Sequence, residues 1–142
     1  MRTWKCCAVL LLWLGCVQAF PRDGRDFAGS YRLLSAVSRG ASVNVTISVK
    51  LMNYGESEVS GARLVLKENN SQSSSLGAFS STVSLAKRGQ TELRGSFEVP
   101  REQYDLWQKG ATPSFVVSYK DASGRPVERR VELVRMPPEV QQ

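Results

Sequence analysis

Two tripeptides carry the plainest chemistry in this 142-residue chain, Asn44-Val45-Thr46 and Asn69-Asn70-Ser71. An asparagine two places before a hydroxyl side chain, with no proline between, is an acceptor for N-linked glycan once a chain enters the secretory pathway. Other reactive groups are scarce. The chain has no histidine, and its three cysteines, Cys6, Cys7 and Cys16, all precede residue 20. Residues 20–142 therefore offer no thiolate nucleophile, no Cys/His zinc site and no Ser-His-Asp triad. Catalysis would have to use carboxylates, Lys, Tyr or Ser, and two acids facing each other across a cleft are the device this composition would favour. The acids are mostly single and flanked by bases, and no D-x-[DN]-x-[DN]-G calcium loop occurs. The expectation is a protein with no catalytic residue, no metal site and no cofactor.

The sequons have meaning only in the right compartment, and the first residues supply it. Arg2 and Lys5 form a short positive region, and an apolar run follows from residue 6 to residue 17. That run has the length of a signal-peptide core and falls short of the ~20 residues that span a bilayer. Val17-Gln18-Ala19 then matches a signal-peptidase site, which places cleavage between Ala19 and Phe20. No later segment is apolar over 18 residues, and the last four residues are not a retention tetrapeptide. The expectation is a secreted protein with no membrane anchor; residence in the ER lumen, held by a partner, is the alternative.

Loss of Arg2 and Lys5 with the leader lowers the net charge from +6 to +4. The remaining bases are scattered, and Glu128 and Glu132 interrupt the one dense group, Arg125, Arg129 and Arg130. A nucleic-acid footprint needs a basic face with stacking aromatics, so no nucleic-acid partner is expected. With no cysteine left after the leader, no disulfide can form, and packing and sheet hydrogen bonds must hold the fold.

Alternation of apolar and polar residues is the main structural signal. Val43, Val45, Ile47, Val49 and Leu51 take every second place in residues 42–52, the mark of a half-buried strand. Residues 53–57 (NYGES) read as a turn. Further strands are expected around Ala62, Leu64 and Leu66; around Phe79, Val83 and Leu85; around Leu93, Phe97 and Val99; over residues 114–120; and around Val127, Val131 and Leu133. Gly95 falls on the apolar side of its strand, which marks a bulge or a close backbone approach. Residues 30–37 (SYRLLSAV) fit a strand or a short helix, because adjacent Leu33 and Leu34 break the alternation; the β character of the rest favours a strand. Residues 68–77 (ENNSQSSSLG) read as an exposed mobile loop, which makes Asn69 the more accessible sequon. Asn44 sits on the polar side of its strand. Pro100 opens a single helical turn around Trp107, which is read as plugging one end of the core. Lys87-Arg88 and Arg129-Arg130 have the form of processing sites, but cutting after Arg130 would sever a strand, so exposed basic pairs are the better account.

Residues 1–19 are thus read as a leader, 20–29 as a flexible arm, 30–136 as one domain and 137–142 as a tail. Six to seven short strands with turns about every ten residues predict an all-β, antiparallel two-sheet sandwich of immunoglobulin or fibronectin type. Residues 43–66 (VNVTISVKLMNYGESEVSGARLVL) carry a resemblance: an alternating strand, an Asn-x-Gly turn and a second strand. The segment resembles the CARDB class of adhesion domains and the lumenal domain of the translocon-associated protein beta family, and residues 111–119 (ATPSFVVSY) are similar to the late strand of that pattern. The translocon family continues into a membrane helix, where this sequence ends. The resemblance implies a binding or structural module and transfers no binding residue. The function expected is that of a secreted glycoprotein acting on an unidentified protein partner, such as a cell-surface receptor.

Overall fold

The computed structural model describes residues 26–138. The leader and its cleavage position at Ala19 and Phe20 lie outside the described residues, as do residues 139–142. Eight strands and one helix follow in the order β1 (Phe27–Arg39), β2 (Ser42–Asn53), β3 (Val59–Glu68), β4 (Ser71–Ala78), β5 (Val83–Leu85), β6 (Gln90–Pro100), α1 (Arg101–Gln108), β7 (Ser114–Lys120) and β8 (Pro126–Arg135).

The fold is all-β, as the alternation requires. In β2, Val43, Val45, Ile47, Val49 and Leu51 all face inward and are almost fully buried. β-branched side chains suit a pleated, half-buried surface, and each such burial stabilises by roughly 1.5–3 kcal/mol. β6 lies antiparallel beside β2 and sends Leu93, Phe97 and Val99 to the same interior. At Gly95 the inward place is empty because the Phe79 ring fills it: a Cβ there would stand 2.8 Å from Phe79 Cδ1. What approaches Gly95 is thus a side-chain ring, where the sequence suggested a bulge or another backbone; the strand register runs through Gly95 without a shift.

The strand arrangement departs from the expectation in three ways. First, the strands form one hydrogen-bonded path, β4-β3-β7-β8-β1-β2-β6, with β5 on β3, curled into a nearly closed barrel. Second, the path is not wholly antiparallel, since β1 and β8 run parallel from Phe27 opposite Val131 to Tyr31 opposite Arg135. The cause lies in β8, which changes partners: Pro126 to Arg130 pair with β7, and Val131 to Arg135 pair with β1. Third, there are eight strands rather than six to seven, because the Ser-rich stretch expected as a mobile loop forms β4. Backbone pairing with β3 does not depend on apolar side chains, and Leu76 supplies a core contact. β1 also begins at Phe27, inside the expected arm, because the Phe27 ring is buried against the Tyr119 ring.

The helix closes one end of the barrel. Pro100 enters it with φ −56°, and Gln103 and Trp107, four residues apart, turn inward on one face. The same end holds the β1–β2 turn, since the Arg101 N–H donates to the Ala41 carbonyl at 3.0 Å. The opposite end holds the turn after β2 and the β7–β8 turn.

Candidate functional site

Three surfaces have enough structure to be weighed, and they lie at the two ends of the barrel and on its wall. At the end opposite the helix, a groove of about 650 Å³ runs past Asp26, Asn53, Glu56, Tyr119 and Asp121. Asn53, the last inward residue of β2, organises its floor. Its Nδ2 donates to the carbonyls of Ser57 (3.0 Å), Leu85 (3.3 Å) and Ala86 (3.4 Å), and its Oδ1 accepts from the Gly55 N–H at 2.9 Å. The expected turn at residues 53–57 is therefore a fixed structure.

Of the four acids around this groove, Asp26, Glu56, Glu58 and Asp121, all but Glu58 are engaged elsewhere. Lys87 Nζ meets Glu56 Oε2 at 2.9 Å, and Arg129 Nε lies 3.9 Å from Asp26 Oδ2. Asp121 accepts from the Ser123 hydroxyl at 2.6 Å and from the backbone N–H groups of Ser123 and Arg125. The Ser123 hydroxyl, followed by the Arg125 N–H, holds the Asp121 carboxyl below its ordinary range. Asp121 is thus kept ionised as the anchor of its turn. Tyr31 is the one other described group with a shifted pKa: burial raises it, and the nearby Arg135 charge opposes the rise. Among the described residues no group of three or more acids could hold a metal ion, and no helix is long and apolar enough to cross a membrane.

The helix end shows where the second sequon went. Asn69 sits in the two-residue turn between β3 and β4, half buried. Its backbone N–H donates to Gln103 Oε1 at 3.0 Å, its Nδ2 donates to the Thr112 carbonyl at 2.9 Å, and its Oδ1 accepts from Trp107 Nε1 at 3.1 Å. Trp107 has no exposed surface and fills this end of the core. The first sequon is placed differently. Asn44 stands on the outer face of β2 between Val37 of β1 and Glu98 of β6, and its side chain has no hydrogen-bond partner among the described residues.

The wall holds the third surface. β1 pairs with β2 along its whole length but with β8 only as far as Tyr31, after which the chain leaves at Met136. Arg32 Nε still donates to the Pro137 carbonyl at 2.9 Å, and beyond it residues 33–39 of β1 present, among the described residues, a strand edge with no ladder on one side. A register shift between Leu33 and Ser35 bulges the strand at Leu34. Leu34 and Val37 are exposed on this edge, and Val134 and Met136 are exposed just before it, opposite Ser30 and beside Tyr31; Val134 is 68% and Val37 is 56% exposed. Arg39 and Arg135 lie at its two ends. An open edge with apolar side chains on it is a template for another strand.

Sequence reasoning named neither this edge nor the Asn69 hub. The signal for the edge was present, because the Leu33-Leu34 pair that blurred strand against helix is the bulge. For the hub, Gln103 four residues before Trp107 on one helix face was the available signal of a polar group beside the buried indole, and it was not read. Of the basic pairs, Arg88 lies in a turn with φ 61°, and Arg129 and Arg130 lie where β8 changes partners.

No family model matches the chain, and no curated protein sequence does. Among solved structures, the GH20 exo-β-N-acetylglucosaminidase from Vibrio harveyi in complex with N-acetylglucosamine aligns with 82% of this chain and 19% of its own length, at TM-score 0.45 and 11% identity. A structural-genomics target aligns with 75% of this chain and 80% of its own, at TM-score 0.41 and 12% identity. The chain spans about a fifth of the Vibrio enzyme, and likenesses of this degree carry no argument about activity.

Proposed function

We propose that this chain is a secreted, non-catalytic glycoprotein that acts as a protein-interaction module, receiving an extended segment of a partner along the open edge of β1. The observation that carries this reading is the edge at residues 33–39, unladdered on one side among the described residues, with Leu34 and Val37 exposed on it and Val134 and Met136 exposed where β8 leaves β1. Strand addition draws affinity from main-chain hydrogen bonds and specificity from alternate side chains. Arg39 and Arg135 at the two ends of the edge favour a segment with aliphatic residues at alternate places and acidic residues at its ends. Secretion makes a cell-surface receptor the natural class of partner. A soluble ER-lumenal factor held by a resident protein would use the same edge.

The finer architecture belongs to this proposal. β6-β2-β1 and β4-β3-β7 act as the two faces of a flattened, immunoglobulin-like sandwich, and β8 joins them by changing partners halfway. The resemblance of residues 43–66 to adhesion-type domains agrees with it.

Photo-crosslinking tests the proposal. A photoreactive residue is placed at Val37 or Val134, and for control at Ser118 on β7, in protein expressed by mammalian cells. The expected result is an adduct at the edge positions alone, mapped by mass spectrometry to an acidic, aliphatic segment of another protein. Equal labelling from Ser118, or an adduct only with a second copy of this chain, would sink it. Adducts formed in the medium or at the cell surface favour the secreted module; adducts confined to the ER favour the lumenal factor.

A further inference from the structure

The two sequons have unequal surroundings, and the difference assigns them different tasks. Glycan transfer bonds a sugar to the side-chain Nδ2 of asparagine, replacing one of its two N–H groups, and adds a bulky polar group that must lie in solvent. At Asn44, which like Asn69 is only partly exposed, this breaks no hydrogen bond among the described residues. The residue faces outward between Val37 and Glu98, next to Ser42 and Thr46, and its amide has no partner among the described residues. At Asn69 the same atom already donates to the Thr112 carbonyl at 2.9 Å, while Oδ1 on the other side of the amide is held by the Trp107 indole at 3.1 Å. The backbone N–H is held by Gln103. One amide therefore ties the β3–β4 turn to α1 and to the segment before β7, over the most buried large side chain of the domain.

We infer that the folded protein carries its glycan at Asn44 and keeps Asn69 unmodified, as the polar bolt of the helix-capped end. A sugar on Asn69 Nδ2 would have to share that nitrogen with the Thr112 carbonyl, on an amide whose Oδ1 is already held by Trp107, so modification there works against completing this end. The inference rests on the secretory reading of residues 1–19, and the test keeps the two apart.

The full chain, and the same chain with an unrelated signal peptide in place of residues 1–19, are expressed in mammalian cells and compared before and after glycosidase. Thr46→Ala and Ser71→Ala each remove one sequon and keep its asparagine. The expected result is a single mobility step, lost in Thr46→Ala and kept in Ser71→Ala. Two steps, a step that survives Thr46→Ala, or no step in the leader-replaced chain would overturn the assignment. If only the leader-replaced chain shows the step, the secretory reading fails and the assignment stands. The structural half has its own readout in the glycosidase-treated protein. Asn69→Asp keeps an acceptor for Trp107 and loses the donor to Thr112, and should lower Tm by about 4–8 °C. An unchanged Tm would overturn the role of Asn69.

Discussion

Two of the places where the described barrel wall lacks a ladder are treated in opposite ways. Where β4 meets β6, at the ends of the strand path, the strands lie against each other without a ladder. Three rings fill the space behind them: Phe79 and Phe97 at 5.1 Å, Phe79 and Phe115 at 5.7 Å, Phe97 and Phe115 at 6.2 Å. Gly95 on β6 and Gly77 on β4 leave room for those rings, since a Cβ at Gly77 would come within 3.0 Å of Phe97. Where β1 outruns β8, no element among the described residues fills the space, and Leu34 and Val37 are left exposed. The difference teaches that an absent ladder does not by itself make a binding edge. The edge stays open only where no neighbouring element supplies apolar bulk to cover it.

Substitutions should separate the two regions sharply. The largest effect is expected at the seam, where Phe115→Ala or Phe97→Ala removes a buried ring and should cost about 3–5 kcal/mol in urea denaturation. A loss below ~1 kcal/mol would mean that the rings do not hold the seam. Gly95→Ala comes next, at about 1–3 kcal/mol, because the new methyl meets the Phe79 ring. Its cost should shrink in a Phe79→Ala background, and strict additivity of the two changes would show that the rings and the glycine are not coupled.

At the open edge the ranking inverts. Leu34→Lys and Val37→Lys should change stability by no more than about 0.5 kcal/mol, because neither side chain is in the core. Both should abolish the edge adduct, since lysine is an established block to strand addition. A large loss of stability would mean that the edge is part of the core. The smallest effect is expected at the β7–β8 turn. Hydrogen bonds to the Asp121 carboxylate depress its folded pKa below the unfolded one, so its contribution is present above the unfolded pKa and is lost as pH falls through the folded pKa. Asp121→Asn should therefore be slightly less stable than the wild type near neutrality and indistinguishable from it in acid. A difference that persists in acid would assign the effect to geometry rather than charge.

The sequence by itself determined the β class and the inward faces. Val43 to Leu51, Phe97 and Val99, and Phe115 and Val117 announce their orientation, because a strand's side chains alternate with period two and one face must be dry. It also located the helix start at Pro100 and the buried Trp107, and it marked Gly95 as a special place without showing that a ring packs there. What it did not determine was pairing. Which strands meet depends on contacts between residues far apart in the chain, and the backbone groups that make them are the same in every residue. The Ser-rich stretch could thus become β4, and β8 could leave β7 for β1 at Val131, with no mark in composition. Only the tertiary structure decided the fate of the two asparagines. The same tripeptide chemistry stands unbonded on the outer face of β2 at Asn44 and is locked between Thr112 and Trp107 at Asn69, because the helix that caps the barrel comes to rest over the β3–β4 turn.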